Sequence, residues 1–222
     1  MSPHVIGQSK DSPIARQWSG RDKCLLGLAL TCGVVFAVLT AQAALGEFFA
    51  LDAEIRVWIA EWQHPLLMSA MRSITTLGGM PWLLPCIGLV MFLVWEAHGM
   101  HALLLWSGQT LACTALFHSI RFMVGRPRPV SPASGYPSGH TVAAIAFYGL
   151  LIYLLWPRHR SWRMGRIVIW GLLLVIIIGV GLSRILLEKH WLSDVLGGYL
   201  AGGFYLTMCV WLLERPQARQ KS

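Results

Sequence analysis

The chain has 222 residues, of which 55% are hydrophobic and only 13% are charged, against the roughly one-quarter charged share of soluble domains. This composition excludes an ordinary soluble globular protein and indicates an integral membrane protein. The formal net charge of +8 fits nucleic acid, an anionic membrane surface or an anionic substrate, so the positions of the basic residues must decide between them.

Six apolar stretches approach the roughly 20 residues that a helix needs to cross a bilayer. They run from about Cys24 to Leu45, Met80 to Trp95, Leu103 to Ile120, Thr141 to Trp156, Ile167 to Leu187 and Val195 to Leu213. Because backbone groups in lipid must be hydrogen-bonded internally, and the period-two alternation of a membrane barrel is missing, we predict an all-α polytopic membrane protein with six transmembrane helices. The predicted membrane domain covers residues 23–214, between cytoplasmic tails at 1–22 and 215–222.

The first apolar stretch has an alternative interpretation as a signal peptide, because Ala41 and Ala43 imitate a small-residue cleavage site. Its apolar region is too long and begins too late for that, so we predict an uncleaved anchor. The segment after it predicts an interfacial helix ended by Pro65, since large apolar residues recur there at helical spacing. These residues are Leu51, Ile55, Trp58, Ile59 and Trp62.

The distribution of basic residues predicts that both termini are cytoplasmic. With this orientation, eleven of the 18 Lys and Arg residues are cytoplasmic: Lys10, Arg16, Arg21, Lys23, Arg158, Arg160, Arg163, Arg166, Arg215, Arg219 and Lys221. The opposite side holds Arg56 and Arg72, plus five basic residues close to polar motifs: Arg121, Arg126, Arg128, Arg184 and Lys189. Apart from those five, the chain follows the positive-inside rule.

Three polar motifs lie on the predicted non-cytoplasmic side, where they can meet in space. They are Arg-x6-Arg-Pro over 121–129, Pro-Ser-Gly-His over 137–140 and Ser-Arg-x5-His-x3-Asp over 183–194. In order and spacing they resemble the phosphatidic acid phosphatase type 2 superfamily, and the six-span layout extends the resemblance to nearly the whole chain. One difference is Arg121, where the family usually has Lys; Arg binds phosphate as a bidentate fork and Lys as a point charge.

The same residues predict a phosphate site by their chemistry. Arg121, Arg128 and Arg184 carry the guanidinium groups that stabilise the spread negative charge of a phosphoryl group in its transition state. The backbone N–H groups of Ser138 and Gly139, at the opening of a helix, and the Ser138 hydroxyl are predicted to add further donors.

Two histidines are predicted to divide the bond-breaking work. His190 and Asp194 are four residues apart, so on a helix they would share a face, with the carboxylate orienting the imidazole as a nucleophile. His140 is predicted to protonate the leaving group as a general acid. The resemblance implies the same roles, with a phosphohistidine on His190 and with neither metal nor cofactor.

Other polar and small residues are predicted to be structural. Arg126 and Lys189, which lie off the motif positions, are interpreted as loop charges that attract anions, and His118 as a hydrogen-bonded helix residue. Gly197, Gly198, Gly202 and Gly203 predict a close helix-packing face. The five cysteines show no paired spacing, which predicts neither disulfides nor a zinc site.

The function predicted from the sequence is hydrolysis of a lipid phosphate or diphosphate, on the periplasmic or extracellular side of a bacterial inner membrane. Within the family, the candidate substrates are undecaprenyl pyrophosphate, phosphatidylglycerophosphate and phosphatidate, and nucleic acid is not an expected partner. One alternative is phosphotransfer to another lipid through the same site. A second is transport of a phosphorylated lipid, which does not require a His–carboxylate pair facing a second His. The sequence predicts no oligomeric state.

Overall fold

The computed structural model describes residues 19–46, 49–156 and 163–214. The predictions for the tails beyond these residues and for the loop at 157–162 lie outside the described residues. The described helices are α1 (Gly20–Ala44), α2 (Ala50–Ala60), α3 (Pro65–Thr76), α4 (Met80–Val124), α5 (Gly139–Ala143), α6 (Gly149–Leu154), α7 (Arg163–Leu186) and α8 (Leu192–Leu213). A π-helical turn, Ala144–Tyr148, joins α5 to α6, so these three segments form one helical rod.

Four of the described helical segments are long and apolar enough to cross a membrane. They are Gly20–Ala44, Pro65–Val124 (α3 and α4 together), Met164–Leu186 and Leu192–Leu213. A shorter apolar helical segment, Gly139–Leu154, comprises α5, the π-helical turn and α6. Within α4, Gly99 has φ +83° and ψ 177°, a conformation that favours glycine and interrupts the helical geometry. This break lies between the predicted second and third spans. The chain is thus a helical, multi-pass membrane protein.

The segment after α1 contains two short helices where one was predicted. Helix α2 ends at Ala60, and Pro65 begins α3 instead of ending a helix, because a proline at the first helical position loses no intrahelical hydrogen bond. The Nδ1 atom of His64 caps α3 by accepting the N–H of Leu66 at 3.3 Å. The predicted end at Pro65 is therefore wrong, and α3 was not predicted.

A short antiparallel hairpin connects α4 to α5 and was also not predicted. Strand β1 (Pro127–Arg128) pairs with β2 (Ser131–Ser134), with an irregularity in register between residues 127 and 128. Gly125 ends α4 in the left-handed conformation, with φ +59°, which turns the chain out of the helix. The hairpin thereby returns the chain to the start of α5.

Helix α8 lies at the centre of the bundle and packs through its glycines, as predicted. A Cβ atom on Gly197 would lie 2.7 Å from the ring of Tyr136, and one on Gly198 would lie 2.9 Å from Thr141. Gly202 packs directly on Ile145. All five cysteines have free thiols. This close packing brings the start of α8 against the start of α5, where two of the three motifs lie.

Candidate active site

Five different segments of the fold bring the three motifs together at one end of the bundle. Arg121 lies in the last turn of α4, and Arg128 lies in β1. His140 follows Gly139 in the first turn of α5. Arg184 lies in the last turn of α7, and Asp194 in the first turn of α8. His140 is within electrostatic range of His190 and of all three motif arginines.

The His190–Asp194 pair is formed at a turn and not along a helix face. His190 precedes α8, and the N–H groups of Lys189 and His190 both donate to the carbonyl of Arg184, at 2.9 and 3.1 Å. Asp194 occupies the first turn of α8, where its Oδ2 atom accepts the N–H of Trp191 at 3.1 Å and lies 3.3 Å from Nδ1 of His190. The predicted contact is present, but its predicted helical origin is wrong.

The environment of His190 favours a neutral imidazole. Burial lowers the pKa of His190 below its ordinary value of 6.5, and the cations Arg184 and Arg128 act in the same direction. Asp194 opposes them through its hydrogen bond and its charge. With Nδ1 facing Asp194, the second ring nitrogen, Nε2, keeps a lone pair for reaction.

Two of the three motif arginines are anchored by a terminal guanidinium nitrogen, and all three keep an Nε donor without a described partner. A terminal nitrogen of Arg121 donates to the carbonyl of Pro137 at 2.6 Å, and one of Arg184 donates to Oγ1 of Thr75 at 3.0 Å. The Nε atoms of Arg121, Arg128 and Arg184 are buried and have no partner among the residues that the structure describes. Buried guanidinium donors without an acceptor suit an anion that accepts several hydrogen bonds at once.

Ser138 contributes differently from the prediction. Its backbone N–H donates to the carbonyl of Asp194 at 3.0 Å, so this N–H is not available to a phosphate, and the prediction is wrong on that point. Its hydroxyl, fully buried, accepts the hydroxyl of Thr141 at 3.0 Å. Ser138 therefore joins the start of α5 to the start of α8, and Gly139 packs against the guanidinium of Arg121.

Several residues near the site were not identified from the sequence. A Cβ atom at Gly135 would lie 2.7 Å from Oδ2 of Asp194, so only glycine fits beside the carboxylate. A Cβ atom at Gly78, between α3 and α4, would lie 2.6 Å from Val180 and 3.3 Å from the ring of His140. A glycine next to a motif was the available signal at 135, whereas Thr75 and Gly78 belong to a distant segment without a motif.

Arg126 is a buried residue of the site, which corrects its interpretation as a loop charge. It is 3% exposed and forms ion pairs with Asp52 of α2 at 2.7 Å and with Asp194 at 3.1 Å. Burial of a charged side chain is favourable only when it is paired, and the hairpin places Arg126 between two carboxylates. The prediction failed because Asp52 is far away in the sequence.

An apolar cavity of 410 Å³ opens from the site into the bundle. Its polar end contains Arg121 and His140, and its walls include Leu83, Phe117 and Phe147. His118 lies beside it and contacts the carbonyl of Thr114 at 2.9 Å through Nδ1, as expected of a hydrogen-bonded helix residue. In the described part of the chain, no group of three or more His, Cys, Asp or Glu side chains is placed to hold a metal ion.

The fold and the site define a multi-pass membrane protein with a histidine–carboxylate pair beside an arginine-lined anion site. A model of the PAP2 superfamily matches residues 102–217, more than half of the chain. The chain belongs to the phosphatidic acid phosphatase type 2 (PAP2) superfamily, as its motifs predicted.

The chain is also similar to two bacterial relatives and to one solved structure. It is 34% identical over 80 residues to phosphatidylglycerophosphatase B of Escherichia coli, a match that covers 36% of this chain and only 29% of that protein. It is 28% identical over 179 residues to phosphatidylglycerophosphatase B of Bacillus subtilis, covering 75% of this chain and 85% of the relative. The crystal structure of a transmembrane PAP2-type phosphatidylglycerolphosphate phosphatase from Bacillus subtilis shares the fold, with a TM-score of 0.73 over 87% of this chain and 99% of that one, at 23% identity.

Proposed function

We propose that the protein is a membrane phosphatase that hydrolyses a lipid phosphate or diphosphate through a phosphohistidine on His190. The observation that carries this proposal is the buried His190–Asp194 pair within a set of arginines whose Nε donors have no partner among the described residues. Such donors stabilise the charge of a phosphoryl group as it is transferred. The relatives named phosphatidylglycerophosphatase B favour phosphatidylglycerophosphate over phosphatidate and undecaprenyl pyrophosphate as the first substrate to test.

The proposed reaction has two steps. In the first, Nε2 of His190 attacks phosphorus, the bond to the leaving oxygen breaks, and His140 donates a proton to that oxygen. In the second, water attacks the phosphohistidine, His140 takes the proton from the water, and inorganic phosphate leaves while His190 is restored. Arg121, Arg128 and Arg184 hold the phosphoryl oxygens throughout, and no step requires a metal ion.

A lipid is the proposed substrate class because the polar site is continuous with an apolar cavity between helices. We assign the headgroup to the arginines and an acyl or prenyl chain to this cavity, whose walls are side chains that lipid tails can contact without losing hydrogen bonds. We further propose six spans, with α4 crossing twice about Gly99, α2 at the interface, and the site on the non-cytoplasmic side.

The test is to trap the covalent intermediate with purified protein. Brief reaction with labelled phosphatidylglycerophosphate and rapid quenching should yield an acid-labile, base-stable phosphoenzyme that His190→Ala does not form. Activity should persist in EDTA, whereas a strict requirement for Mg²⁺ or Zn²⁺ would contradict the mechanism. Phosphate appearing on an added lipid alcohol, in place of free phosphate, would assign the transferase alternative.

The role of His140 is tested in the same assay by changing the leaving group. His140→Ala should be far more damaging for a lipid phosphate, whose alkoxide needs a proton, than for an activated aryl phosphate. Equal losses with both substrates would show that His140 is only another phosphate ligand.

A further inference from the structure

Asp52 is a buried carboxylate that none of the three motifs contains. It belongs to α2, where Asp52 and Ile59 are the buried residues and the rest of the helix is exposed or half-buried. Its Oδ1 atom accepts the N–H of Ser193 at 2.8 Å, and its Oδ2 atom accepts the Ser193 hydroxyl at 2.6 Å. Oδ2 also pairs with Arg126 at 2.7 Å. This number of charge-assisted hydrogen bonds holds the carboxylate in one orientation.

Arg126 connects Asp52 directly to the catalytic pair. One terminal nitrogen of its guanidinium contacts Asp52, and the other contacts Oδ1 of Asp194 at 3.1 Å. The second oxygen of Asp194, Oδ2, faces His190. A chain of contacts thus runs from α2 through Arg126 and Asp194 to the imidazole, and the side chains of all four residues are at most 2% exposed.

The charges along this chain have a specific consequence. A guanidinium bound to Asp194 withdraws negative charge from the imidazole that Asp194 supports. Asp52 compensates for that cation, because two carboxylates and one guanidinium together retain one net negative charge beside His190. In a buried site these charges are weakly screened, so removing the charge of Asp52 or that of Arg126 changes the proton affinity of the His190 imidazole.

We propose that Asp52 is a positioning residue for catalysis, which acts through Arg126 to set the orientation and the effective charge of Asp194 and thereby the nucleophilicity of His190. This inference rests on the proposed phosphatase function. It assigns a catalytic contribution to α2, a helix outside the three motifs, in addition to its structural contact with α8.

Other charged or titratable groups lie around His190, and the experiment must hold them constant. They are Asp194 on α8, Arg184 on α7, Arg128 in the hairpin, His140 on α5 and the Arg56–Glu188 pair next to Trp191. None of these groups is changed in the variants below. Titration of the substrate phosphate is the same for all variants, so differences between their pH profiles come from groups of the enzyme.

The experiment compares two variants of the full-length purified protein, each of which removes one buried charge. The values of kcat and kcat/KM for phosphatidylglycerophosphate in mixed micelles are measured from about pH 4.5 to pH 8.5. Asp52→Asn should move the acid limb of kcat/KM to lower pH by roughly half a unit or more, and should lower kcat at least about tenfold with KM changed less than about twofold. Arg126→Gln should move the acid limb in the opposite direction, to higher pH. The double variant should lie between the two.

Glu54→Gln provides the matched control, since Glu54 is an exposed carboxylate on the same helix. It should leave kcat, KM and the acid limb unchanged. Shifts of Asp52→Asn and Arg126→Gln in the same direction, or no shift in either, would overturn the inference and leave Asp52 as an anchor for α2. If Asp52→Asn does not accumulate in membranes, the comparison of the double variant with Arg126→Gln replaces it: an acid limb at lower pH in the double variant supports the inference, and an unchanged one overturns it. An inactive wild-type protein would overturn the proposed function and this inference together.

Discussion

The arginines of the site show why two cationic residues, Arg and Lys, are not interchangeable there. Arg121 uses one end of its guanidinium to bind the carbonyl of Pro137, while its Nε stays without a partner among the described residues. A lysine has three donors on one nitrogen and no planar fork, so it cannot reproduce both geometries at once. Arg184 is anchored in a similar way by Thr75.

Substitution of these arginines should have graded effects on catalysis. Arg121→Lys keeps a cation and restores the residue usual in the family, so kcat/KM should fall by no more than about tenfold, equivalent to about 1.4 kcal/mol. Arg184→Ala removes the charge and should lower kcat/KM by about a hundredfold or more. Arg72→Ala, an exposed arginine on α3, is the control and should change kcat/KM less than about twofold. A loss for Arg184→Ala no larger than that of the control would remove Arg184 from the phosphate site.

At the level of elements, helix α8 determines whether the site can assemble. Its glycines allow α5 and the π-helical turn to approach closely, and the same contact aligns Asp194 with Ser138. Lipid tails are as apolar as helix side chains, so the hydrophobic effect does not hold helices together inside a membrane. Close backbone packing of this kind therefore contributes to their association.

Substitution of Gly202 should therefore destabilise the bundle. A methyl group there would overlap Ile145, so Gly202→Ala should lower the free energy of unfolding in detergent by about 1–3 kcal/mol. Gly171→Ala on α7 is the matched control, because no atom lies within 4 Å of its added methyl group. It should be neutral or should stabilise by up to about 1 kcal/mol, since alanine favours the helix. Thermal unfolding curves of the two variants test this, and equal midpoints would show that α8 tolerates a wider separation.

For the whole molecule, the proposed orientation follows from the asymmetry of Lys and Arg. The five basic residues that depart from the positive-inside rule lie at or beside the candidate site. Three of them are the motif arginines, and Arg126 is buried between Asp52 and Asp194. The proposed function therefore accounts for most of the exceptions, which supports the charge asymmetry as an indicator of topology.

Tags and reporters should reveal this topology in intact cells or spheroplasts. Tags at both termini should be protected from added protease, while a reporter inserted beside Ala133, in the exposed part of β2, should be cleaved. An insertion in the predicted cytoplasmic loop, at residues 158–162 before α7, is the internal control and should be protected. Cleavage in that loop, together with protection at Ala133, would invert the orientation and place the site in the cytoplasm.

The amino-acid sequence by itself determined the membrane class, the helical fold and the motif residues. These features are local, because an apolar stretch, a proline, or a His and an Asp at short spacing can each be recognised within a short segment of sequence. For the same reason the sequence indicated the side chains that meet in the candidate site, and the family model confirms the family that the motifs predicted.

Only the tertiary structure decided how Asp52, Arg126 and Thr75 take part. Whether a charged side chain can be buried depends on its partner. Asp52, the partner of Arg126 on α2, is separated from it in the sequence by α3 and all of α4. The same is true of the Ser138 N–H at the start of α5, which donates to the carbonyl of Asp194 at the start of α8. A sequence pattern carries no information about such distant pairs, because their contact exists only after the helices have packed.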